Sequence, residues 1–111
     1  MKTLYGDVSL EQVEGHIQKL HNAMFWLLLY KDPKTRDSFK DVDFEYYFVT
    51  LMGKINGLNR LLMERSELVT VMSYLEAAYL ETQKNPFDYR LYRKYVLDAH
   101  GELDRLGEEA V

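Results

Sequence analysis

Apolar side chains recur along this chain at alternating steps of three and four. Leu10, Val13, Ile17, Leu20, Met24 and Leu27 form the first such series, the stripe that one face of an α-helix needs. Ser9 precedes it, and Gln12 follows three residues later. That is a capping-box pattern, in which the Ser hydroxyl accepts from the third amide and the Gln side chain reaches back. A first helix is therefore expected over about residues 10–30. "KDPKTRDSFKDVD" then breaks the periodicity with Pro33 and a run of polar residues.

A second stripe runs through Phe44, Phe48, Leu51, Ile55, Leu58 and Leu62, with Asp41 or Asp43 placed to cap it. A third carries Leu68, Met72, Leu75 and Tyr79, with Val71 and Ala78 beside them and Ser66 as its cap. The fourth is Tyr92, Val96, Ala99, Leu103 and Leu106. Asn85-Pro86 fits a cap followed by proline at the first helical position, and Gly107 is placed as a C-terminal stop. The tail "EEAV" is expected to fray. The expected helices span about 10–30, 43–64, 67–84 and 87–106 in one all-helical domain, 1–111. The fold class is all-α, a four-helix up-down bundle. The stretch "LLMERSELVTVM" holds no Gly or Pro. Residues 44–84 therefore have an alternative as one long kinked helix of ~60 Å. The change of stripe phase between Leu62 and Leu68 favours a break.

The most suggestive local stretch is "YRLYRKY", residues 89–95, where tyrosines alternate with cations. Aromatics interleaved with basic residues hold single-stranded nucleic acid in many proteins. On a helical wheel centred at Tyr92, however, Val96, Ala99, Leu103 and Leu106 fall within about 40° and Tyr89 and Tyr95 within about 60°. Arg90 and Lys94 land about 160° away and Arg93 about 100° away. The alternation in sequence becomes segregation in space, with tyrosines toward the core and cations toward water.

Seven residues separate Arg93 from His100, which puts them on one helix face. "RKYVLDAH" resembles the Arg-x(4–6)-His pattern of the small all-helical HEPN ribonucleases, with Lys94 where that family usually has a polar residue. The resemblance covers eight residues. It implies Arg93 and His100 acting together on an RNA 2′-OH and scissile phosphate, across a dimer. Arg90, Arg93 and Lys94 are then the nucleic-acid-binding residues.

Composition bounds the rest. The chain has 111 residues, enough for one core. Its net charge is −4, which disfavours generic phosphate binding but leaves room for a local basic patch. With no cysteine, disulfides and Cys-ligated zinc are excluded. "MKTLYGDVSLEQVEG" reads as no secretory leader, and the longest apolar run, "AMFWLLLY", is eight residues, far below the ~20 of a membrane span. A soluble, cytoplasmic protein is expected, with no membrane association.

No metal or cofactor is expected. His16 and His21 stand about 140° apart on a helix, so they do not chelate one ion together. No Glu-x-x-His occurs, so the bundle di-iron constellation is missing. Glu11/Glu14 and Glu64/Glu67 share the Glu-x-x-Glu spacing of magnesium-dependent helical nucleotide pyrophosphatases, but no downstream acidic set completes it. Gly53, Gly57, Gly101 and Gly107 are scattered and form no phosphate loop. The stripes are apolar throughout, so no inward-facing acid or base is expected.

One surplus remains. With Met24 at zero, Phe25, Trp26 and Leu29 sit at about 100°, 160° and 140°. A helix apolar on all sides is buried or forms an interface. Phe25, Trp26 and Leu29 are accordingly the expected oligomer interface, most simply of a two-fold homodimer. The reading is a non-catalytic helical protein that self-associates and binds protein partners. The alternative is a nucleic-acid-associated helical protein, either a small subunit of a processing complex or the HEPN-like ribonuclease.

Overall fold

A computed structural model describes residues 2–3 and 5–109. The side chain of Leu10, first of the apolar stripe, and the tail residues Ala110 and Val111 lie outside what is described. Two two-residue strands, β1 (Lys2–Thr3) and β2 (Gly6–Asp7), pair antiparallel ahead of four helices: α1 (Leu10–Lys31), α2 (Phe44–Leu61), α3 (Ser66–Thr82) and α4 (Tyr89–Glu109). The small hairpin, which the periodicity gave no sign of, turns on Gly6 at φ 110°, a conformation glycine alone adopts freely. Thr3 Oγ1 donates to the Gly6 carbonyl at 2.6 Å and closes it.

Three of the four helices, α1, α2 and α4, start on a side-chain cap. Ser9 Oγ accepts from Gln12 N at 3.2 Å while Gln12 Oε1 accepts from Ser9 N at 3.1 Å, so α1 opens on a complete capping box. Asp43, not Asp41, caps α2, its Oδ1 accepting from Tyr46 N at 3.0 Å. At α3 the expected cap moves by one: Arg65 is the N-cap, and Ser66 already lies in the first turn.

The fourth helix departs further. Asn85-Pro86 is a cis peptide and lies in the connection. Asp88 supplies the cap instead, its Oδ1 accepting from Arg90 N at 3.0 Å and Leu91 N at 3.3 Å. At the other end α4 continues through Gly107 to Glu109. Gly107 therefore does not stop it. Leu103 and Leu106 are buried there, and that tertiary packing outweighs glycine's weak helix propensity.

The second and third helices are separate. Glu64 N donates to Asn59 O at 2.7 Å and Met63 N to Arg60 O at 3.1 Å, the paired bonds of a Schellman C-cap. Met63 and Glu64 both take φ 61°, the left-handed region, so the chain leaves the α2 axis. Glu64 consequently falls in the turn, off the helix that carries Glu67. The Glu64/Glu67 spacing does not put the two carboxylates on one helical face.

α3 and α4 run along each other over the longest stretch; α1 packs on α4, and α2 bridges α3 and α1. One core collects Val13, Ile17, Leu20, Met24 and Leu27 from α1, Phe48, Leu51 and Ile55 from α2, Leu68, Val71, Leu75 and Ala78 from α3, and the whole α4 stripe from Tyr92 to Leu106. Each large side chain so buried contributes about 1.5–3 kcal/mol. On α3 the buried line runs through Val71 and Ala78, while Met72 and Tyr79 are only half-buried. The core is not purely apolar: Asn59, Glu67 and Glu81 are buried among these stripes. Glu67 Oε2 accepts from Arg65 Nε at 3.2 Å. Glu81 Oε1 accepts from Asp88 N at 3.3 Å, with Lys84 Nζ 3.0 Å from its other oxygen. Both acids are structural, and Glu81 ties the end of α3 to the start of α4.

Candidate functional site

The apolar surplus of α1 divides into a covered part and an open part. After α1 the chain folds back: Thr35 Oγ1 donates to Leu29 O at 2.7 Å, and a 3-10 turn follows at Arg36–Phe39. Its Phe39 ring stands edge-on to Trp26 at 6.0 Å and to Tyr30 at 5.3 Å. Tyr30 in turn meets Tyr47 of α2 at 5.1 Å. These pairs anchor the 32–43 segment over one flank of α1. Leu29 is half-buried as a result. Phe25 and Trp26 are not enclosed: 57% and 42% of their surfaces remain exposed. On α2, Tyr46 and Val49 stand three residues apart on one face and are also exposed. The covering segment was not legible as such, because its aromatic anchor, Phe39, stands alone in a polar run.

Tyrosine hydroxyls bolt α2 and α4 to the α1 carbonyls. Tyr47 donates to Ala23 O at 3.1 Å, Tyr92 to Leu27 O at 2.7 Å and Tyr89 to Leu28 O at 3.2 Å. A carbonyl has two lone pairs, so each can serve the helix and a tyrosine together. Burial, with Tyr30 nearby, pushes the Tyr47 hydroxyl up to about 12. Burial raises Tyr92 as well.

This geometry assigns the tyrosines of "YRLYRKY". Tyr92 is fully buried, and Tyr89 and Tyr95 are half-buried against the core. Arg90, Arg93 and Lys94 point to water, where Lys94 Nζ pairs with Asp98 at 3.1 Å. Cations and tyrosines of the stretch thus lie on different faces of α4.

His100 has one neighbour that helical spacing supplies, Asp104, and one that it does not, His21. Its ring stacks on His21 of α1, centroids 3.9 Å apart and planes within 19°. Its Nδ1 lies 3.6 Å from Asp104 Oδ2, one turn along α4. Burial, and then the Asp32 carboxylate, raise the Tyr89 pKa, and Arg93 on the same helix opposes that rise. His21 and His100 are far apart in the chain, and periodicity within single helices offers no signal for that meeting.

Comparison of the chain with protein-family models, with curated proteins and with solved structures finds no match. Among the described residues, no helix is long and apolar enough to cross a membrane.

Proposed function

We propose that the chain is a cytoplasmic, non-catalytic helical-bundle protein that acts by self-association, as a two-fold homodimer joined through the open end of α1. The observation that carries this reading is the exposure of Phe25 and Trp26, side by side, with the Tyr30–Phe39 ring cluster behind them. That cluster holds Trp26 in one orientation, which lowers the entropy lost when a partner covers it. Burying such a side chain is worth about 1.5–3 kcal/mol. Phe25 and Trp26 are already about half buried, so two on each subunit, with the exposed remainder of Leu29, offset part of the ~4–15 kcal/mol cost of association. A two-fold axis lets the same patch meet itself, so no second complementary surface is needed.

Sedimentation at micromolar concentration tests it. The wild type is expected to be dimeric, and Trp26→Glu monomeric with unchanged helicity. A wild type that is already monomeric removes the proposal, and a Trp26→Glu protein that stays dimeric moves the interface elsewhere.

The exposed Arg90, Arg93 and Lys94 support a second reading, nucleic-acid association. Phosphate contacts must weaken steeply with salt. No retention of RNA or DNA at low salt would end that reading.

A further inference from the structure

Asp104 stands between the two stacked histidines. Its Oδ1 lies 3.0 Å from His21 Nε2, and its Oδ2 lies 3.6 Å from His100 Nδ1. Yet His21 Nε2, shielded from water, makes no hydrogen bond of acceptable geometry among the described residues. The Asp104 carboxylate faces this buried nitrogen without a well-aligned hydrogen bond, and a bound ion would engage both groups. One ligand atom from each of the three residues can be chosen so that all lie within 4.8 Å of one another. Zinc bonds of about 2.1 Å at tetrahedral angles separate neighbouring ligand atoms by about 3.4 Å. The gaps to the carboxylate, 3.0 Å at Oδ1 and 3.6 Å at Oδ2, are close to that separation but belong to different oxygens, so the side chains close up further around an ion.

We propose that His21, His100 and Asp104 form a binding site for a divalent transition-metal ion. Two imidazoles and one carboxylate suit zinc, nickel, cobalt or ferrous iron and not magnesium or calcium, which take oxygen ligands. The near-parallel rings aim their lone pairs side by side. Closing on an ion therefore requires His100, 41% exposed and the freer of the two, to rotate about its side-chain bonds. Three protein ligands leave further coordination positions to solvent. They have a place to open: a cleft lined by Glu14, Gln18 and Glu108 together with His21 and Asp104. The carboxylates of Glu14 and Glu108 add negative charge at that entrance. The ion would join α1 to α4, a pairing otherwise made by apolar contacts and tyrosine hydrogen bonds. His21 lies one helical turn before Phe25 on α1, so the site is next to the Phe25–Trp26 face.

Zn²⁺ alone, titrated into untagged protein at pH 7.5, is the probe. Isothermal calorimetry is expected to show one site per chain, with no comparable heat from Mg²⁺. His21→Ala, His100→Ala and Asp104→Asn should each weaken binding about tenfold or more, and His16→Ala should leave it unchanged. Because the chain has only three histidines, imidazole NMR gives a readout that needs no substitution. The His21 and His100 signals should move on Zn²⁺ addition and that of His16 should not. Co²⁺ should bind at the same site and be displaced by Zn²⁺. Absence of binding at ~100 µM Zn²⁺ overturns the proposal. So does a response confined to His16, or affinity that survives loss of both His21 and Asp104 in folded protein.

Discussion

Removing the Tyr92 ring should be among the most damaging single changes in this protein. Tyr92 is 1% exposed and sits where α4 meets α1, α2 and the 83–88 connection. Its ring faces Phe87 at 5.7 Å, Tyr89 at 6.0 Å and Phe44 at 6.4 Å, and its hydroxyl donates to Leu27 O at 2.7 Å. Tyr92→Ala loses the burial, the ring pairs and the hydrogen bond, and leaves a cavity between helices that cannot easily collapse. Large aromatic truncations of this kind cost about 3–5 kcal/mol. For a chain of this length that lowers the thermal midpoint by ~12–20 °C, at about 4 °C per kcal/mol. Tyr92→Phe isolates the hydroxyl. Leu27 lies inside α1, so its carbonyl keeps its place in the helical ladder, and the loss should be only about 0.5–1.5 kcal/mol. Urea unfolding followed by circular dichroism measures both. An alanine variant that loses less than ~1 kcal/mol behaves like a surface change, and the inward orientation of α4 would then be wrong. Equal losses for Phe and Ala would mean that the hydrogen bond, not the packing, carries the site.

Other changes probe the turns, the interface and the metal site. Met63 occupies the left-handed C′ position of the α2 cap with its side chain half exposed. Met63→Gly should therefore raise stability, by about 0.5–1 kcal/mol, the left-handed penalty of ~1–2 kcal/mol less the extra chain entropy of glycine; a loss in urea unfolding would contradict this. Tyr47 holds its proton to about 12 in the folded chain, against ~10 when unfolded. The folded state thus binds more protons above pH ~10, and stability must fall as pH rises through that value. Urea midpoints at pH 9 and pH 11 should show the fall, and Tyr47→Phe should make it shallower. Trp26→Glu should shift the sedimentation coefficient from dimer to monomer, and one equivalent of Zn²⁺ should raise the thermal midpoint of the wild type but not of Asp104→Asn.

Periodicity and capping chemistry placed the helices, because both are local. The stripes Val13–Leu27 and Tyr92–Leu106 are buried as their spacing requires, since a helix has one way to present such a stripe to a core. Ser9 and Asp43 act as caps because the bond each makes lies within three residues. Local reasoning failed where a distant group outbid the near one. Asp88 displaced Asn85-Pro86 as the start of α4, where buried Glu81 holds the Asp88 amide from α3. Gly107 failed to end α4 because its helix was already held by the core. The break at Met63–Glu64 could be suspected from stripe phase, but two consecutive left-handed residues without glycine carry no propensity signal.

Side-chain partnerships between helices were beyond the sequence altogether. Helical spacing ranks residues by face and is silent on which faces meet. It set His21 about 140° from His16 and put His100 on one face with Arg93. Only the packing of α1 on α4 brought His21 against His100 and Asp104. Likewise, the sequence marked Phe25, Trp26 and Leu29 as a surplus, but the return of residues 32–43 over α1 decided which of them stay in water. Composition and period fix what a helix must bury, and the docking of helices, set by the sum of many weak contacts across the core, fixes which polar groups face each other.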